Sequence, residues 1–166
     1  LKFVEPDQFH QSFTFDLLLS PWNAQSFHKT AAKSYRSLHA SGSSITWALN
    51  NHDVHRVVTR YGRTDAHLTS SWTGNNLVNS DASVDLEMGH RRARAAALLI
   101  LGLPGAVYLY MGEELGLPEV LDIPDSARQD PIFARTEGRE KGRDGCRVPM
   151  PWTSGSANLN GFSTST

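Results

Sequence analysis

The sequence is poor in cysteine and has no uninterrupted hydrophobic run long enough to cross a bilayer. Cys146 is the only cysteine among 166 residues, so an intrachain disulfide is excluded and a reducing, cytoplasmic setting is favoured. Residues 1–7 lack the apolar segment of a signal peptide. The longest apolar stretch, residues 95–111, is broken by GLPG at 102–105, and neither half approaches the roughly 20 residues that a membrane-spanning helix needs. We therefore expect a cytoplasmic protein with no membrane partner.

Charge is also scarce, and neither sign dominates. Charged residues make up 20% of the chain, and sixteen basic residues face seventeen acidic ones, which gives a net charge of −1. The one local basic group, Arg91, Arg92 and Arg94, follows Asp85 and Glu87, as on a solvated helix face. Because no basic stripe is left uncompensated, we expect no nucleic-acid partner.

Apolar periodicity predicts strands and helices in alternation. Residues 9–17 alternate apolar and polar side chains, which is typical of a strand, and Asn23 is a good N-cap for the helix that follows. Residues 45–49 form a short β-branched and aromatic run that predicts a second strand. Residues 85–101 predict a helix, and residues 106–110 predict a third strand, apolar enough to be buried on both faces. This order is typical of a parallel α/β fold.

Two stretches show no regular pattern. Residues 59–83 are polar and rich in glycine, asparagine and threonine, so we expect a long loop with at most one irregular turn. Beyond Gly116 the chain is punctuated by proline and glycine, and we expect loops there as well.

The residues after the second strand carry the strongest chemical signal. His52 and Asp53 leave a strand end, which is where parallel α/β folds build active sites. An imidazole and a carboxylate there could hold neighbouring hydroxyls of one sugar ring. The same pair could instead satisfy a loop backbone, with Asp53 as the N-cap of the next helix. A third interpretation takes His52, Asp53 and His55 as metal ligands, but such sites use helical residues, and residues 45–49 favour a strand.

Four motifs decide between these interpretations, because together they resemble the α-glucosidase branch of the α-amylase superfamily of glycoside hydrolases. Residues 47–53, WALNNHD, with Arg56 three positions on, resemble that superfamily's fourth conserved region. Three more stretches agree in order and approximate spacing: HQSFTFD at 10–16, LPG at 103–105 with YMGEELG at 110–116, and GRDGCR at 142–147 before PMPW. Any one of these is weak evidence, but all four in order are strong.

The resemblance implies a fold and a set of roles. The chain would hold strands 6 to 8 of a (β/α)8 barrel, with residues 1–117 as the C-terminal part of the catalytic barrel and residues 118–166 as a loop-rich segment. Asp53 would be the catalytic transition-state stabiliser of a retaining α-glucosidase, and His52 and Arg56 would bind the substrate, a small α-glucoside or sucrose. No cofactor and no metal would be needed.

The sequence also departs from the family. A retaining glycosidase needs a nucleophile and an acid/base carboxylate about 5–5.5 Å apart, and the family carries them on earlier strands that this sequence does not include. We therefore expect an active parent enzyme and an inactive isolated chain. The remainder of the barrel, or a second copy, would cover the open strands 9–17 and 106–110. The alternative is a non-catalytic, glycosidase-like partner module of the transporter heavy-chain type, although such relatives usually lose the His-Asp pair.

Some motif residues also have plainer interpretations. We expect Arg143 and Asp144 to form a local ion pair in a turn. Trp47, inside a strand, is expected in the core, whereas Trp72 and Trp152, on loops, are better placed to stack on a sugar.

Overall fold

The computed structural model describes residue 4 and residues 7–40, 42–68, 83–155 and 157–163. Its strands are β1 (Gln11–Phe13), β2 (Ser44–Ala48) and β3 (Ala106–Tyr108), and its α-helices are α1 (Ala24–His39), α2 (Val57–Gly62), α3 (Leu86–Gly102) and α4 (Pro131–Arg135). Short 3₁₀ turns lie at Asp125–Ala127, Asp144–Cys146 and Ala157–Gly161. Among these described elements, no helix is both long and apolar enough to cross a bilayer.

The three strands form one open parallel sheet in the order β1-β2-β3. Phe13 pairs with Thr46, and Ala48 pairs with Tyr108. The predicted parallel α/β architecture is confirmed, and the second and third strands are neighbours in the sheet. Since parallel strands point the same way, the segments that follow β2 and β3 meet at one edge of the sheet.

Helices α1 and α3 begin at side-chain caps, of which the sequence predicted the first, Asn23. Asn23 Oδ1 accepts the Ser26 N–H at 3.0 Å, and Asp85 Oδ1 accepts the Met88 N–H at 2.9 Å. Each bond satisfies one of the backbone donors that a helix start leaves free. The first turn of each of these two helices is therefore fixed.

The core lies between the sheet and the helices, around Trp47. Trp47 is buried, as predicted, and its indole Nε1–H donates to the Pro104 carbonyl at 2.9 Å. Tyr61 of α2 lies with Ile100 of α3 in the same apolar cluster. Trp22 packs on Tyr61 at a ring-centroid distance of 5.2 Å, so the start of α1 is held against the same core.

The outer strands are shorter and more exposed than predicted. Residues 9–17 contain only the three-residue strand β1, because the chain turns after residue 15 and a hydrogen bond from Ser20 Oγ to the Asp16 carbonyl, 3.0 Å, closes that turn. Residues 106–110 contain only β3, and its predicted burial on both faces is wrong for this chain: Tyr108 is 46% exposed and Phe13 of β1 is 55% exposed. Among the described residues each of these strands has one neighbour.

The predicted loop at residues 59–83 is wrong at its start. Val57–Gly62 form helix α2, which is fully buried and packs against α3. Close apolar spacing at Val57, Val58 and Tyr61 was the available signal. Residues 69–82, which include Trp72, lie outside the described residues. Beyond Gly116 the chain is irregular as predicted, except for α4 and the short 3₁₀ turns.

Gly89 allows α2 and α3 to approach each other closely, which gives a first prediction. A Cβ at Gly89 would collide with the backbone carbonyl of Val58. Gly89→Ala should therefore lower the free energy of unfolding by about 1–3 kcal/mol. Gly102→Ala is the matched control in the same helix. Apart from its chain neighbours and the backbone of its own helix, no atom lies within 4 Å of the Cβ that this substitution would add. Urea denaturation should show that this control is neutral or stabilised by about 0.4–1 kcal/mol. Equal destabilisation of both variants would contradict the close approach.

Candidate functional site

His52 and Asp53 lie in a turn directly after β2, at the carboxyl edge of the sheet. Two asparagines fix that turn. Asn51 Oδ1 accepts the Asp53 N–H at 2.8 Å, and Asn50 Oδ1 accepts the Val57 N–H at 2.7 Å. The side chains of His52 and Asp53 are 65% and 49% exposed. They are therefore open to a ligand on a backbone that is held in place.

Two arginines from the 142–147 segment hold the Asp53 carboxylate. Asp53 Oδ1 accepts from Arg143 Nη1 at 2.6 Å and from Arg147 Nη2 at 3.1 Å. Asp53 Oδ2 lies 3.4 Å from His52 Nε2. Arg147 also donates through Nε to the His52 carbonyl at 2.8 Å. We call His52, Asp53, Arg143 and Arg147 the Asp53 site.

Asp130, the N-cap of α4, fixes Arg143 from behind. Asp130 Oδ2 accepts from the Arg143 backbone N–H at 3.0 Å and from Arg143 Nε at 2.6 Å. Burial works to raise the pKa of Asp130, but the hydrogen bonds from Arg143 and from the Ile132 backbone N–H outweigh it and lower that pKa to about 2. Arg143 therefore bridges the carboxylates of Asp53 and Asp130, and its guanidinium is restrained before any ligand binds.

Arg56 lies beneath the Asp53 site and is 1% exposed. Its guanidinium donates through Nη1 to the Met111 carbonyl at 2.7 Å and through Nη2 to the Cys146 carbonyl at 3.2 Å. It stacks on the Tyr110 ring, with Cζ 5.5 Å from the ring centroid. These contacts link the segments that follow β2 and β3 to the 142–147 loop. Substrate binding by Arg56 stays a prediction, because none of these contacts tests it.

The contacts do not support the two alternatives to sugar binding, which are a capping role for Asp53 at the next helix and a metal site. The N-cap residue of α2 is Arg56, so Asp53 is not the N-cap of that helix. In the ranges that the structure describes, no three His, Cys, Asp or Glu side chains come together as a metal site would require. Trp152 is 68% exposed on its loop, and its stacking on a sugar stays a prediction.

Sequence reasoning missed the partners of Asp53. The predicted local pair of Arg143 with Asp144 is wrong: Arg143 reaches Asp53 and Asp130, whereas Asp144 Oδ2 accepts the backbone N–H groups of Gln129 and Asp130. The available signal was the motif itself, since two arginines flank the turn at 143 and 147. Nothing in the pattern indicated that they cross to the end of β2.

Known proteins match the chain along its length. The family model of the alpha-amylase catalytic domain matches residues 1–166. A probable alpha-glucosidase from Rhizobium meliloti (strain 1021) is 32% identical over 169 residues, which covers 96% of this chain and 24% of that protein. An oligo-1,6-glucosidase from Parageobacillus thermoglucosidasius is 27% identical over 151 residues, which covers 81% of this chain and 23% of that protein. The chain thus spans about a quarter of the length of these relatives.

Solved structures agree in fold. The trehalose-6-phosphate hydrolase TreA of Bacillus licheniformis superposes with a TM-score of 0.66 at 19% identity, covering 99% of this chain and 31% of that one. An isomaltulose synthase from Erwinia rhapontici superposes with a TM-score of 0.65 at 21% identity, covering 96% of this chain and 29% of that one. The open parallel sheet corresponds to part of the (β/α)8 barrel of these enzymes. The chain belongs to the alpha-amylase catalytic-domain family of glycoside hydrolases.

Proposed function

We propose that the full-length protein containing this chain is a retaining α-glucosidase that releases terminal α-linked glucose from short oligosaccharides or sucrose. The observation that carries the proposal is the Asp53 carboxylate at the carboxyl edge of the sheet, half exposed yet held by Arg143 and Arg147. In this proposal Asp53 is the catalytic group that stabilises the transition state, and His52 binds the sugar beside it.

The geometry suits a transition state that gains positive charge. Glycoside hydrolysis passes through an oxocarbenium-like state, which a fixed carboxylate stabilises more than it stabilises the neutral substrate. Oδ1 of Asp53 is fixed by two guanidinium groups, and Oδ2 faces the exposed His52 ring. A carboxylate that is oriented in advance needs little reorganisation when the charge develops.

Arg56 completes the proposed subsite from below. Its guanidinium donates to the carbonyl of Met111, which follows β3, and to the carbonyl of Cys146, which precedes Arg147. We propose that it shapes the floor of the glucose subsite, with any contact to the sugar made from that buried position.

The substrate class rests on the relatives. The similar proteins are called probable alpha-glucosidase and oligo-1,6-glucosidase, and both names denote a glucosidase. The similar isomaltulose synthase was solved in complex with its natural substrate, sucrose. We propose a small α-glucoside of this kind.

The rest of the reaction requires groups beyond these residues. The family's nucleophile and acid/base carboxylate follow earlier barrel strands, so we propose that they are supplied by the remainder of the barrel. The same strands, or a second copy, would cover the exposed outer strands β1 and β3. Residues 1–166 alone should therefore show no turnover of α-glucosides.

The test is hydrolysis of a 4-nitrophenyl α-glucoside by the purified full-length protein, with the β-glucoside as the control. We expect release of nitrophenol from the α-anomer only, and NMR should show α-glucose as the first product, as retention requires. Absence of turnover on the aryl glucoside, maltose, isomaltose and sucrose would contradict the proposal and favour a non-catalytic partner module.

A further inference from the structure

A buried His–Glu pair lies beneath the Asp53 site and belongs to none of the motifs. His55 comes from the segment after β2 and Glu119 from the segment after β3. Both side chains are 1% exposed, and His55 Nε2 lies 3.9 Å from Glu119 Oε1. Burying two titratable groups together in a core costs free energy unless their contacts compensate for the lost solvation.

Glu119 joins the three segments that build the site. Its Oε2 accepts the Arg56 N–H at 2.9 Å, and its own N–H donates to Thr59 Oγ1 in α2 at 2.8 Å. Gly145 packs directly on the Glu119 carboxyl group, since a Cβ at Gly145 would collide with Oε1. Gly145 lies between Arg143 and Arg147, the two residues that hold Asp53. Glu119 therefore sets the distance between the Asp53 turn and the arginines that orient it.

The pair is surrounded by charged and titratable side chains on every neighbouring segment. It faces Arg56 before α2, Arg60 within α2 and Arg63 directly after α2. From the segments after β3 it faces Tyr110 and Cys146. Burial is the largest influence on both groups. It raises the pKa of Glu119 to about 7, and together with Arg60 and Arg63 it lowers the pKa of His55 to about 4.

We propose that Glu119, with His55 as its buried neighbour, is a positioning residue that holds the Asp53 turn in register with Arg143 and Arg147. This rests on the proposed function, because positioning Asp53 matters to catalysis only if Asp53 acts on a sugar. Glu119 touches no substrate; it acts through the Arg56 N–H and Gly145.

The two groups have opposite pH dependences. Because the pKa of Glu119 is raised above its ordinary 4.5, its contribution to stability is present below that pH and is lost as the pH rises through about 7. Because the pKa of His55 is lowered below its ordinary 6.5, its contribution is present above that pH and is lost as the pH falls through about 4. Between pH 4.5 and 6.5 the two slopes offset each other.

The experiment compares Glu119→Gln, Glu119→Ala and the exposed control Glu114→Gln in the full-length protein. Glu119→Gln keeps an acceptor for the Arg56 N–H but cannot ionise, so its stability relative to wild type should rise between pH 5 and 8. Glu119→Ala removes the acceptor, so the Arg56 amide should exchange hydrogen faster at every pH. On an aryl α-glucoside, Glu119→Ala should lose kcat by up to about 10²-fold with KM little changed, and Glu119→Gln should restore most of it.

Each outcome decides the proposal. Wild-type exchange at Arg56 together with wild-type kcat in Glu119→Ala would overturn it, and so would a pH dependence of Glu119→Gln that matches Glu114→Gln. If Glu119→Ala does not fold, the pH series of Glu119→Gln decides alone. If the wild-type protein hydrolyses no α-glucoside, the proposed function fails, while the exchange and stability measurements still test the positioning.

Discussion

Asp53→Asn in the full-length protein should lower kcat for an aryl α-glucoside by about 10²–10³-fold. Asparagine keeps the shape of the side chain and one oxygen for Arg143 and Arg147. It removes the negative charge that would stabilise the positive charge developing in the transition state. KM should change far less, because the neutral ground state gains little from that charge. Initial rates over a range of substrate concentrations, with the thermal midpoint of each protein, give the measurement.

Asp125→Asn is the matched control for that variant. Asp125 is an exposed carboxylate that also pairs with two cations, Arg128 and Lys141, but it lies outside the Asp53 site. Exposed ion pairs contribute little, so its kcat should equal that of wild type. Hydrolysis by Asp53→Asn at the wild-type rate would remove Asp53 from the mechanism, even if the protein proved to be a glucosidase.

Local signals in the sequence predicted most of the fold. Asn23 caps its helix as predicted, since a cap depends on residues three positions apart. Trp47 is in the core, as expected for an aromatic residue inside a strand. The alternation at residues 9–17 predicted too long a strand, because Leu17 is buried but lies in a turn after β1. A residue in a turn can be buried as well as a residue in a strand. An apolar residue that continues the alternation of a strand can therefore lie beyond its end.

The contacts of the site were not predictable in the same way. The bond between Arg143 and Asp53 spans 90 positions, and the contact between Arg56 and Glu119 spans 63. Neither contact produces a periodic pattern in the sequence, because each depends on how the loops after β2 and β3 meet at the sheet edge. The family motifs made His52 and Asp53 candidate site residues, but only the three-dimensional arrangement shows what orients Asp53.

Arg60 gives the largest expected effect on stability. This buried residue of α2 donates from its guanidinium to three backbone carbonyls: His55 through Nε at 2.7 Å, Leu18 through Nη1 at 2.9 Å, and Leu49 through Nη2. The His55 carbonyl belongs to the Asp53 turn and the Leu18 carbonyl to the turn after β1. The Leu49 carbonyl directly follows β2. One side chain thus joins three segments that lack regular hydrogen bonds to one another.

Arg60→Met should lower the free energy of unfolding by about 3–5 kcal/mol, since each buried carbonyl left unpaired costs about 1–3 kcal/mol and methionine fills only part of the volume. Arg60→Lys should lose less than Arg60→Met, because an ammonium group keeps the charge but cannot match the fork of the guanidinium. Arg91→Met is the control on an exposed arginine that pairs with Glu87 in the same helix, and it should cost about 0.3–0.5 kcal/mol. Urea denaturation followed by tryptophan fluorescence measures all three variants. If Arg60→Met cost no more than Arg91→Met, the three carbonyls would have found other donors, and the buried guanidinium would not be what holds these segments together.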